Sequence, residues 1–283
     1  MLKPLIKSMR LRTLPLSLAG VVCGGLLAMG GLGNDGSWWA FALVLLTAVF
    51  LQILSNLSNE MGDHLSGVDG EGREGPNYSM ADGGLTVKQM WKAINAMVVV
   101  CCVSGLLMVW MSGSPWWLLL FGAAAIWAAT HYTLGKNPYG YRGLGDIFVF
   151  IFFGLVSVLG SYFVLAHSLP SKLWLWAPAA GMGLLSVAVL NVNNIRDMES
   201  DKGIRKTIPL RIGERAAKWY QTVLVSLGYA LFLLGNDSWW PVATAAFFGW
   251  HLYLVWHGRG RQLDPALPLL VISTFVTALL YVI

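Results

Sequence analysis

The sequence has few charged residues for its length. Only 12% of its 283 residues are charged and 56% are hydrophobic, whereas about 25% of an ordinary soluble domain is charged. This deficit excludes a typical soluble globular domain and indicates a protein that crosses a membrane several times. A net charge of +5 would suggest a nucleic-acid partner in a soluble protein. In a membrane protein such basic residues first report topology, so we expect no nucleic-acid partner.

Cysteine is also scarce. The three cysteines, Cys23, Cys101 and Cys102, lie within apolar runs and have neither the spacing of metal ligands nor that of a disulfide framework. This pattern argues against a disulfide-stabilised secreted domain and against a cysteine-ligated zinc site. We expect all three side chains to serve in packing, either in the core or against lipid.

Long apolar runs occupy most of the chain. We predict an all-α, polytopic membrane protein with about nine transmembrane helices, at residues 14–32, 38–62, 89–111, 115–134, 145–167, 173–195, 214–235, 239–257 and 265–283. The first run is long for a signal peptide and no small-residue cleavage site follows it closely, so it is predicted to be a span. Residues 1–283 are expected to form a single transmembrane domain.

Charge is distributed unevenly between the two sides of this arrangement. If the N-terminus is cytoplasmic, every lysine and arginine except Lys172 falls in a cytoplasmic segment or an adjoining helix end, as the positive-inside rule predicts. Every acid except Asp35 and Asp237 falls on the same side, which topology alone does not explain. A charged chamber that faces the cytoplasm accounts for both observations. Nine spans would place the C-terminus on the opposite side of the membrane.

Two polar stretches look alike, and each follows an apolar run directly. The first motif consists of Asn59, Asp63 and Asp69, and the second motif consists of Asn193, Asp197 and Asp201. Carboxylates at the end of a membrane span are costly to place there, so they indicate a functional site. The two motifs are four spans apart, and an even offset preserves the direction of the chain. We therefore predict a parallel pseudo-repeat of four-helix units, with both motifs at one chamber.

The spacing within the motifs predicts their local structure. Positions i and i+4 share one face of a helix, so the second motif should form a continuous helical stripe. Asn59 and Asp63 have the same spacing, but Asp69 lies off their stripe. The chain is therefore expected to leave the helix after Asp63, and Gly62 and Gly67 would make that easy.

Oxygen-rich motifs of this kind suit a hard divalent cation. Mg²⁺ usually binds through a few carboxylates together with substrate phosphates. No Cys, and no His except His64, is spaced with the motifs, which favours Mg²⁺ over Zn²⁺. Basic residues near the motifs could hold the remaining phosphate charge; they are Arg73, Lys136, Arg142, Arg196, Arg205 and Lys206. For each one, a role in topology or lipid-headgroup binding is the alternative.

The residues alone leave three alternatives to an enzymatic metal site. The motifs could be solvated acidic helix ends, and Asp146 could be only a partner of the helix dipole. A transporter with an ion site at the cytoplasmic face is a second candidate, although it predicts ionisable residues at mid-span and most runs lack them. A CDP-alcohol phosphotransferase would require a D-x2-D-G-x2-A-R arrangement, and the sequence does not contain it.

Taken together, the motifs resemble those of a known family. The first motif, followed by Arg73 and Gly75-Pro76, looks like the first diphosphate–Mg²⁺ motif of the intramembrane, UbiA-type aromatic prenyltransferases, and the second motif looks like the second. Tyr132 and Lys136 resemble the tyrosine–lysine motif of that family.

The resemblance covers roughly residues 10–215, with motif-bearing helix ends at 56–76 and 191–213. The Arg12-Thr13-Leu14-Pro15 segment and residues 138–146 and 207–213 are similar to the branch of the family that prenylates 1,4-dihydroxy-2-naphthoate in menaquinone biosynthesis. Glu60 stands where an Asp is common and Asp146 where a Glu is common, and both departures keep a carboxylate.

The resemblance implies a substrate, a cofactor and a set of roles. A polyprenyl diphosphate would place its head in the chamber and its tail between helices or in the lipid of the bacterial plasma membrane. An aromatic acceptor would attack it, either 1,4-dihydroxy-2-naphthoate or another such as 4-hydroxybenzoate. Mg²⁺ would be held by Asp63, Asp69, Asp197, Asp201, Asn59 and Asn193. Substrate would contact Arg73, Tyr132, Lys136, Arg142 and Lys206, and Asp146 would be a candidate base. The sequence does not identify protein partners.

Overall fold

A computed structural model describes residues 2–30, 37–67, 78–234 and 239–283. Within these ranges the chain is helical and contains no strand, as the composition predicts. The principal helices are α1 Leu2–Ser8, α2 Leu14–Ala28, α3 Trp38–Ser66, α4 Val87–Ser112, α5 Leu118–His131, α6 Gly145–Ala166, α7 Ala177–Arg196, α8 Glu214–Leu233, α9 Ala245–His257 and α10 Ala266–Val282. Two short helices, Met198–Asp201 and Ile208–Ile212, follow α7.

Six helical segments in the described ranges are long and apolar enough to cross a membrane. They are Leu2–Ala28, Trp38–Ser66, Val87–Ser112, Gly145–Ala166, Leu173–Arg196 and Gly260–Val282. Helix α5 is apolar but shorter, and helices α8 and α9 lie where two further spans are predicted. The protein is therefore a polytopic membrane protein, and its nine spans and its pseudo-repeat remain predictions.

Local sequence signals set the helix ends near the cavity described below. Thr86 begins α4 with a capping box, because its hydroxyl accepts from the Gln89 amide while the Gln89 side chain accepts from the Thr86 amide. Helix α3 ends at Gly67, whose φ of 77° lies in the left-handed region that glycine adopts readily. The prediction for Gly67 is thus confirmed. Gly62 instead lies inside the helix, which continues through Asp63 to Ser66.

Gly62 allows close packing and does not end helix α3. A Cβ at this position would overlap the side chain of Thr133, which follows α5. The Thr133 hydroxyl donates to the carbonyl of Ser58 at 3.0 Å, so the segment after α5 lies directly against the last turns of α3. The glycine permits this close approach beside the first motif.

Two apolar cores hold the motif-bearing helices. One surrounds α7, which packs between α6 and α8, and its buried members include Val158, Met182, Leu185, Leu224, Val225 and Leu270. The other fixes α3 against α4 through Leu54, Leu57, Met61, Met90 and Ile94. Cys23 and Cys101 are buried in these cores, as predicted for packing residues, whereas Cys102 is exposed.

Helix α6 contains a π-helical segment at Phe150–Val156. Gly154 lies in this segment against α7, where an added Cβ would come within 2.6 Å of the Gly183 Cα. Segments of this kind occur frequently at functional sites. Phe152, Phe153 and Val156 from the same segment line the cavity that joins the two motifs.

Candidate active site

A cavity of about 890 Å³ runs between the helices and reaches both motifs. Asn59 and Asp63 line it from α3, and Asn193 and Asp197 line it from α7 and its end. The cavity also reaches Val44, which lies about 28 Å from Asp63 along α3 at 1.5 Å of rise per residue. It is therefore polar where the motifs meet and apolar over most of its length.

Asp63 is buried and takes its hydrogen-bond partners from distant parts of the chain. The hydroxyl of Tyr141 donates to its Oδ1 at 2.9 Å, and the guanidinium of Arg205 forms an ion pair with the same oxygen. Burial, followed by the charge of Asp63, raises the pKa of Tyr141 to about 12. Tyr141 therefore stays protonated at physiological pH and acts as a hydrogen-bond donor to the carboxylate.

Arg205 connects the two motifs. Its Nη2 pairs with Asp63 of the first motif, and its Nε lies 3.6 Å from Oδ1 of Asp201 in the second. Its guanidinium also lies over the ring of Tyr141, 4.7 Å from the ring centroid. Burial alone would lower the pKa of Arg205, but the carboxylates of Asp63 and Asp201 raise it above its ordinary value. A fixed positive charge thus stands between the two acidic motifs.

Asp197 is held by the residue next to it. Arg196 donates to both of its carboxylate oxygens at 2.7 Å, through Nε and Nη2. The same guanidinium donates to Asn193 Oδ1 at 2.7 Å and to Asp264 Oδ1 at 3.2 Å. These contacts order the second motif and tie it to the segment before α10.

The second motif is not the continuous stripe that its spacing predicts. Helix α7 ends at Arg196, and Asp197 has φ −92° and ψ 11° before a further helical turn begins. The amide of Asp201 still donates to the carbonyl of Asp197 at 2.9 Å. The expectation was wrong because the helix is interrupted at Asp197, which ends α7 and precedes the separate helical turn Met198–Asp201.

The remaining predicted site residues lie in different places. Tyr132 lines the cavity, whereas Lys136, Arg142 and Lys206 are exposed and are not part of its lining. Asp146 does not line it either, and its carboxylate accepts a hydrogen bond from Tyr220 at 2.9 Å.

The exposed basic residues contribute main-chain contacts to the loops around the cavity. The carbonyl of Arg142 accepts from Arg211, and the amide of Lys206 donates to the carbonyl of Tyr141. This geometry gives no support to the substrate contacts predicted for Lys136, Arg142 and Lys206 or to Asp146 as the base, so these roles remain predictions. Asp69 and Arg73 lie outside the described residues.

Several residues at the site were not predicted as site residues from the sequence. Tyr141 holds Asp63 from outside the cavity lining, and Asp264 holds Arg196. Arg10, Arg12 and Tyr78 line the cavity from the N-terminal segment and from the loop before α4. Arg205 was one of six basic candidates, and its position four residues after Asp201 was an available signal for an ion pair. The others depend on contacts between distant segments, for which the sequence carries no local signal.

The donor set suits a hard cation, although the described part of the chain contains no ready cluster of three or more acidic, His or Cys ligands. The donors that line the cavity from the two motifs are carboxylate and amide oxygens, which Mg²⁺ prefers. The guanidinium of Arg205 already places a positive charge between Asp63 and Asp201. The residues of the two motifs therefore fit Mg²⁺ in charge and in ligand chemistry.

The fold and the cavity define the class: a helical membrane enzyme whose acids and arginines meet at one end of a long apolar cavity. The chain belongs to the UbiA prenyltransferase family, which matches residues 17–279. It is therefore a prenyltransferase, and the resemblance of the two motifs to that family is confirmed.

Several relatives are similar over most of their length. A 1,4-dihydroxy-2-naphthoate octaprenyltransferase from Escherichia coli (strain K12) is 41% identical over 232 residues, which are 78% of this chain and 72% of the relative. The enzyme of the same name from Haemophilus influenzae is 38% identical over 250 residues, 87% of this chain and 78% of the relative.

Solved structures share the fold at low sequence identity. The apo structure of a UbiA homolog from Aeropyrum pernix K1 has a TM-score of 0.71 at 18% identity and covers 93% of this chain and 94% of its own. A UbiA homolog from Archaeoglobus fulgidus bound to GPP and Mg²⁺ has a TM-score of 0.66 at 16% identity, with 98% and 99% covered. These similarities support the helical architecture of the whole described chain.

Proposed function

We propose that the protein transfers a polyprenyl group from a polyprenyl diphosphate to 1,4-dihydroxy-2-naphthoate in a Mg²⁺-dependent reaction that releases CO₂ and gives demethylmenaquinol. The observation that carries the proposal is the single cavity that joins both acidic motifs to a long apolar space. A diphosphate with its metal ions requires the acidic motifs, and a polyprenyl tail requires the apolar space. The names of the bacterial relatives, at 34–41% identity, favour the naphthoate as acceptor.

The motifs would hold the diphosphate end of the donor. Asn59, Asp63 and Asp69 from one side, and Asn193, Asp197 and Asp201 from the other, would hold Mg²⁺. When bound, Mg²⁺ would neutralise the diphosphate and make it a better leaving group.

Arginines beside the motifs would complete the neutralisation. Arg205 pairs with Asp63 and Asp201, and Arg196 pairs with Asp197. Carboxylates that exchange a guanidinium for a divalent cation leave that guanidinium available to the phosphate oxygens. Arginine suits this role because its planar group donates to two oxygens at once.

The apolar part of the cavity would hold the tail and protect the reactive carbon from water. Apolar residues from four of the helices that line it are Val44, Leu51, Met108, Leu118, Phe121 and Val164. The aromatic side chains of Tyr132, Phe148 and Phe152 also line it, and aromatic faces stabilise an allylic cation. The acceptor would form a carbon–carbon bond to that cation at its carboxyl-bearing carbon and then lose CO₂ and a proton.

The test uses purified full-length protein, a radiolabelled polyprenyl diphosphate, Mg²⁺ and a panel of aromatic acceptors. We expect prenylated naphthoquinol from 1,4-dihydroxy-2-naphthoate, with one CO₂ released per product from carboxyl-labelled acceptor, and no product after chelation of Mg²⁺. If product forms only from 4-hydroxybenzoate, that compound is the acceptor in place of the naphthoate. If product forms without release of CO₂, the reaction does not include decarboxylation. No product from any acceptor would refute the proposed activity.

The orientation of the site belongs to the same proposal. The charge distribution places the N-terminus and the motifs at the cytoplasmic face of a bacterial plasma membrane and the C-terminus on the opposite side. Single cysteines introduced at Lys136 and Lys172 of a cysteine-free variant should differ in labelling by an impermeant maleimide in intact cells. We expect labelling of the cysteine at position 172 alone. Labelling of the cysteine at position 136 alone would mean that the protein has the opposite orientation.

A further inference from the structure

Arg196 occupies the oxygen atoms with which the second motif would hold a metal ion. Its Nε and Nη2 donate to the two carboxylate oxygens of Asp197 at 2.7 Å, and Nη2 also donates to Asn193 Oδ1 at 2.7 Å. Two positive charges at the same oxygens repel each other strongly when they are shielded from water. A divalent cation at Asn193 and Asp197 would therefore have to displace the guanidinium of Arg196.

Displacement of Arg196 is costly unless another anion receives it. The side chain is 5% exposed, and the residue before it, Ile195, is buried in an apolar cluster with Val192 and Leu263. A buried guanidinium that loses its carboxylate keeps its desolvation penalty without the attraction that offset it. The metal ion would therefore bind weakly if Arg196 had no acidic partner other than Asp197.

Asp264 supplies a second acidic partner from outside the two motifs. Arg196 uses its third nitrogen, Nη1, to donate to Asp264 Oδ1 at 3.2 Å. Asp264 precedes α10 and lines the cavity, and its side chain is 49% exposed, so water solvates the carboxylate that receives the guanidinium. Arg205 offers a contrast, because its partners Asp63 and Asp201 both belong to the motifs. Arg196 alone of these two arginines has an ion-pair partner that the motifs do not supply.

The connecting segment between α9 and α10 fixes the position of Asp264. The neighbouring Leu263 is fully buried in the cluster that contains Ile195 at the end of α7. Lys218 of α8 donates to the carbonyl of Gly258 at 2.9 Å and so holds the start of the same segment. The carboxylate of Asp264 is thus held beside the end of α7 by contacts that do not involve Arg196.

We propose that Asp264 is a positioning residue that retains the guanidinium of Arg196 at the cavity wall when a divalent cation takes the oxygens of Asn193 and Asp197. This inference rests on the proposed function, since it assumes that the second motif holds Mg²⁺. Arg196 competes with the metal ion, and Asp264 weakens that competition by offering the guanidinium another carboxylate. The loss of Arg196 should therefore strengthen metal binding, whereas the loss of Asp264 should weaken it.

Metal binding without donor or acceptor tests the inference. The probe is Mn²⁺, which shares the oxygen ligands and octahedral geometry of Mg²⁺, and electron paramagnetic resonance measures the free ion beside the full chain in detergent. Arg196→Gln should lower the Mn²⁺ concentration at half-saturation by about tenfold or more, because it removes a charge-assisted competitor. Asp264→Asn should raise it by about twofold to fivefold, because the ion pair of a half-exposed carboxylate is partly screened.

A double variant separates a positioning residue from a metal ligand. Since Asp264 acts through Arg196, Asp264→Asn should change nothing further in an Arg196→Gln background. An equal weakening of Mn²⁺ binding in that background would make Asp264 a ligand and overturn the inference. Asp264→Asn that lowers the melting temperature but leaves Mn²⁺ binding unchanged would make Asp264 a structural residue only, which also overturns it.

Two further variants exclude indirect effects. Glu199→Gln removes a negative charge two residues after Asp197, but Glu199 is exposed and pairs with Lys202, so Mn²⁺ binding should match wild type. Arg196→Lys cannot cover two carboxylate oxygens with a planar fork, so it should bind Mn²⁺ more tightly than wild type even if Arg196→Gln fails to fold.

The outcomes of these controls are decisive. A Glu199→Gln effect as large as that of Asp264→Asn, or Mn²⁺ binding no tighter than wild type in the Arg196 variants, would overturn the inference. Failure of the proposed function shows separately, as absent turnover in wild type.

Discussion

The two motifs hold their aspartates in different ways. Asp197 takes both of its short ion-pair contacts from Arg196, its neighbour in sequence. Asp63 takes its contacts from Tyr141 and Arg205, which are 78 and 142 positions further along the chain. The second motif is thus organised by its own helix end, whereas the first is organised only when three separate segments have come together.

This difference has an energetic consequence. Removing the cation from a buried ion pair costs about 3–5 kcal/mol, because the carboxylate that remains is desolvated with less compensation. Asp63 and Asp201 share Arg205, so the loss of that one residue affects both motifs. Arg196 affects Asp197 and Asp264, which lie on one side of the cavity. Arg205 is therefore the residue that couples the two halves.

The largest expected effect comes from neutralising one aspartate in either motif. Asp63→Asn and Asp197→Asn should each lower kcat by about 10²–10³-fold or more, because each removes a charge that holds the leaving group's counter-ion. Membrane insertion should be unchanged. Asp82→Asn is the matched control, since Asp82 is an exposed acid that pairs with Lys7 away from the cavity. Near-normal turnover in Asp63→Asn or Asp197→Asn would mean that the motifs are not the diphosphate site.

The second prediction concerns the coupling through Arg205. In the protein without substrate, Asp63→Asn should destabilise less in an Arg205→Gln background than in wild type, with a coupling energy of about 1–3 kcal/mol. In an Arg196→Gln background the effect of Asp63→Asn should be additive, because Arg196 does not contact Asp63. Denaturant unfolding of the purified variants measures both cycles. Equal coupling to the two arginines would contradict the distinction between the motifs.

Gly62→Ala tests the packing beside the first motif. The added Cβ overlaps Thr133, so we expect a loss of about 1–3 kcal/mol in stability and a smaller loss of turnover than either aspartate variant shows. Gly249→Ala is the control, because a Cβ at this helical glycine meets no atom within 4 Å and the residue does not line the cavity. Melting temperatures compare the two variants. If Gly62→Ala is as harmless as Gly249→Ala, Thr133 can move and its contact does not position Asn59 and Asp63.

Part of this site was predictable from sequence because it depends on local patterns. The apolar runs predicted the helices, the i, i+4 spacing selected Asn59, Asp63, Asn193 and Asp197, and Gly67 predicted the end of α3. These signals act within one or two helical turns.

The rest depends on tertiary contacts. No local pattern shows that Arg205 reaches Asp63, that Gly62 accommodates Thr133, or that Asp146 turns toward Tyr220. The same holds for the contact of Arg196 with both Asp197 and Asp264, which joins residues 67 positions apart at the break after α7.

The smallest expected effect distinguishes charge from hydrogen bonding at Asp63. Tyr141→Phe keeps the ring beneath Arg205 but removes the hydroxyl that donates to Asp63 and contacts Ser66. One hydrogen bond to a charged group is worth about 1.5 kcal/mol, which predicts a loss of about tenfold in kcat/KM. Tyr220→Phe, which removes the hydroxyl that donates to Asp146 outside the cavity, is the matched control and should lose less. If Tyr220→Phe loses more than Tyr141→Phe, Asp146 takes part in the reaction and the hydrogen bond from Tyr141 is not important for the function of the first motif.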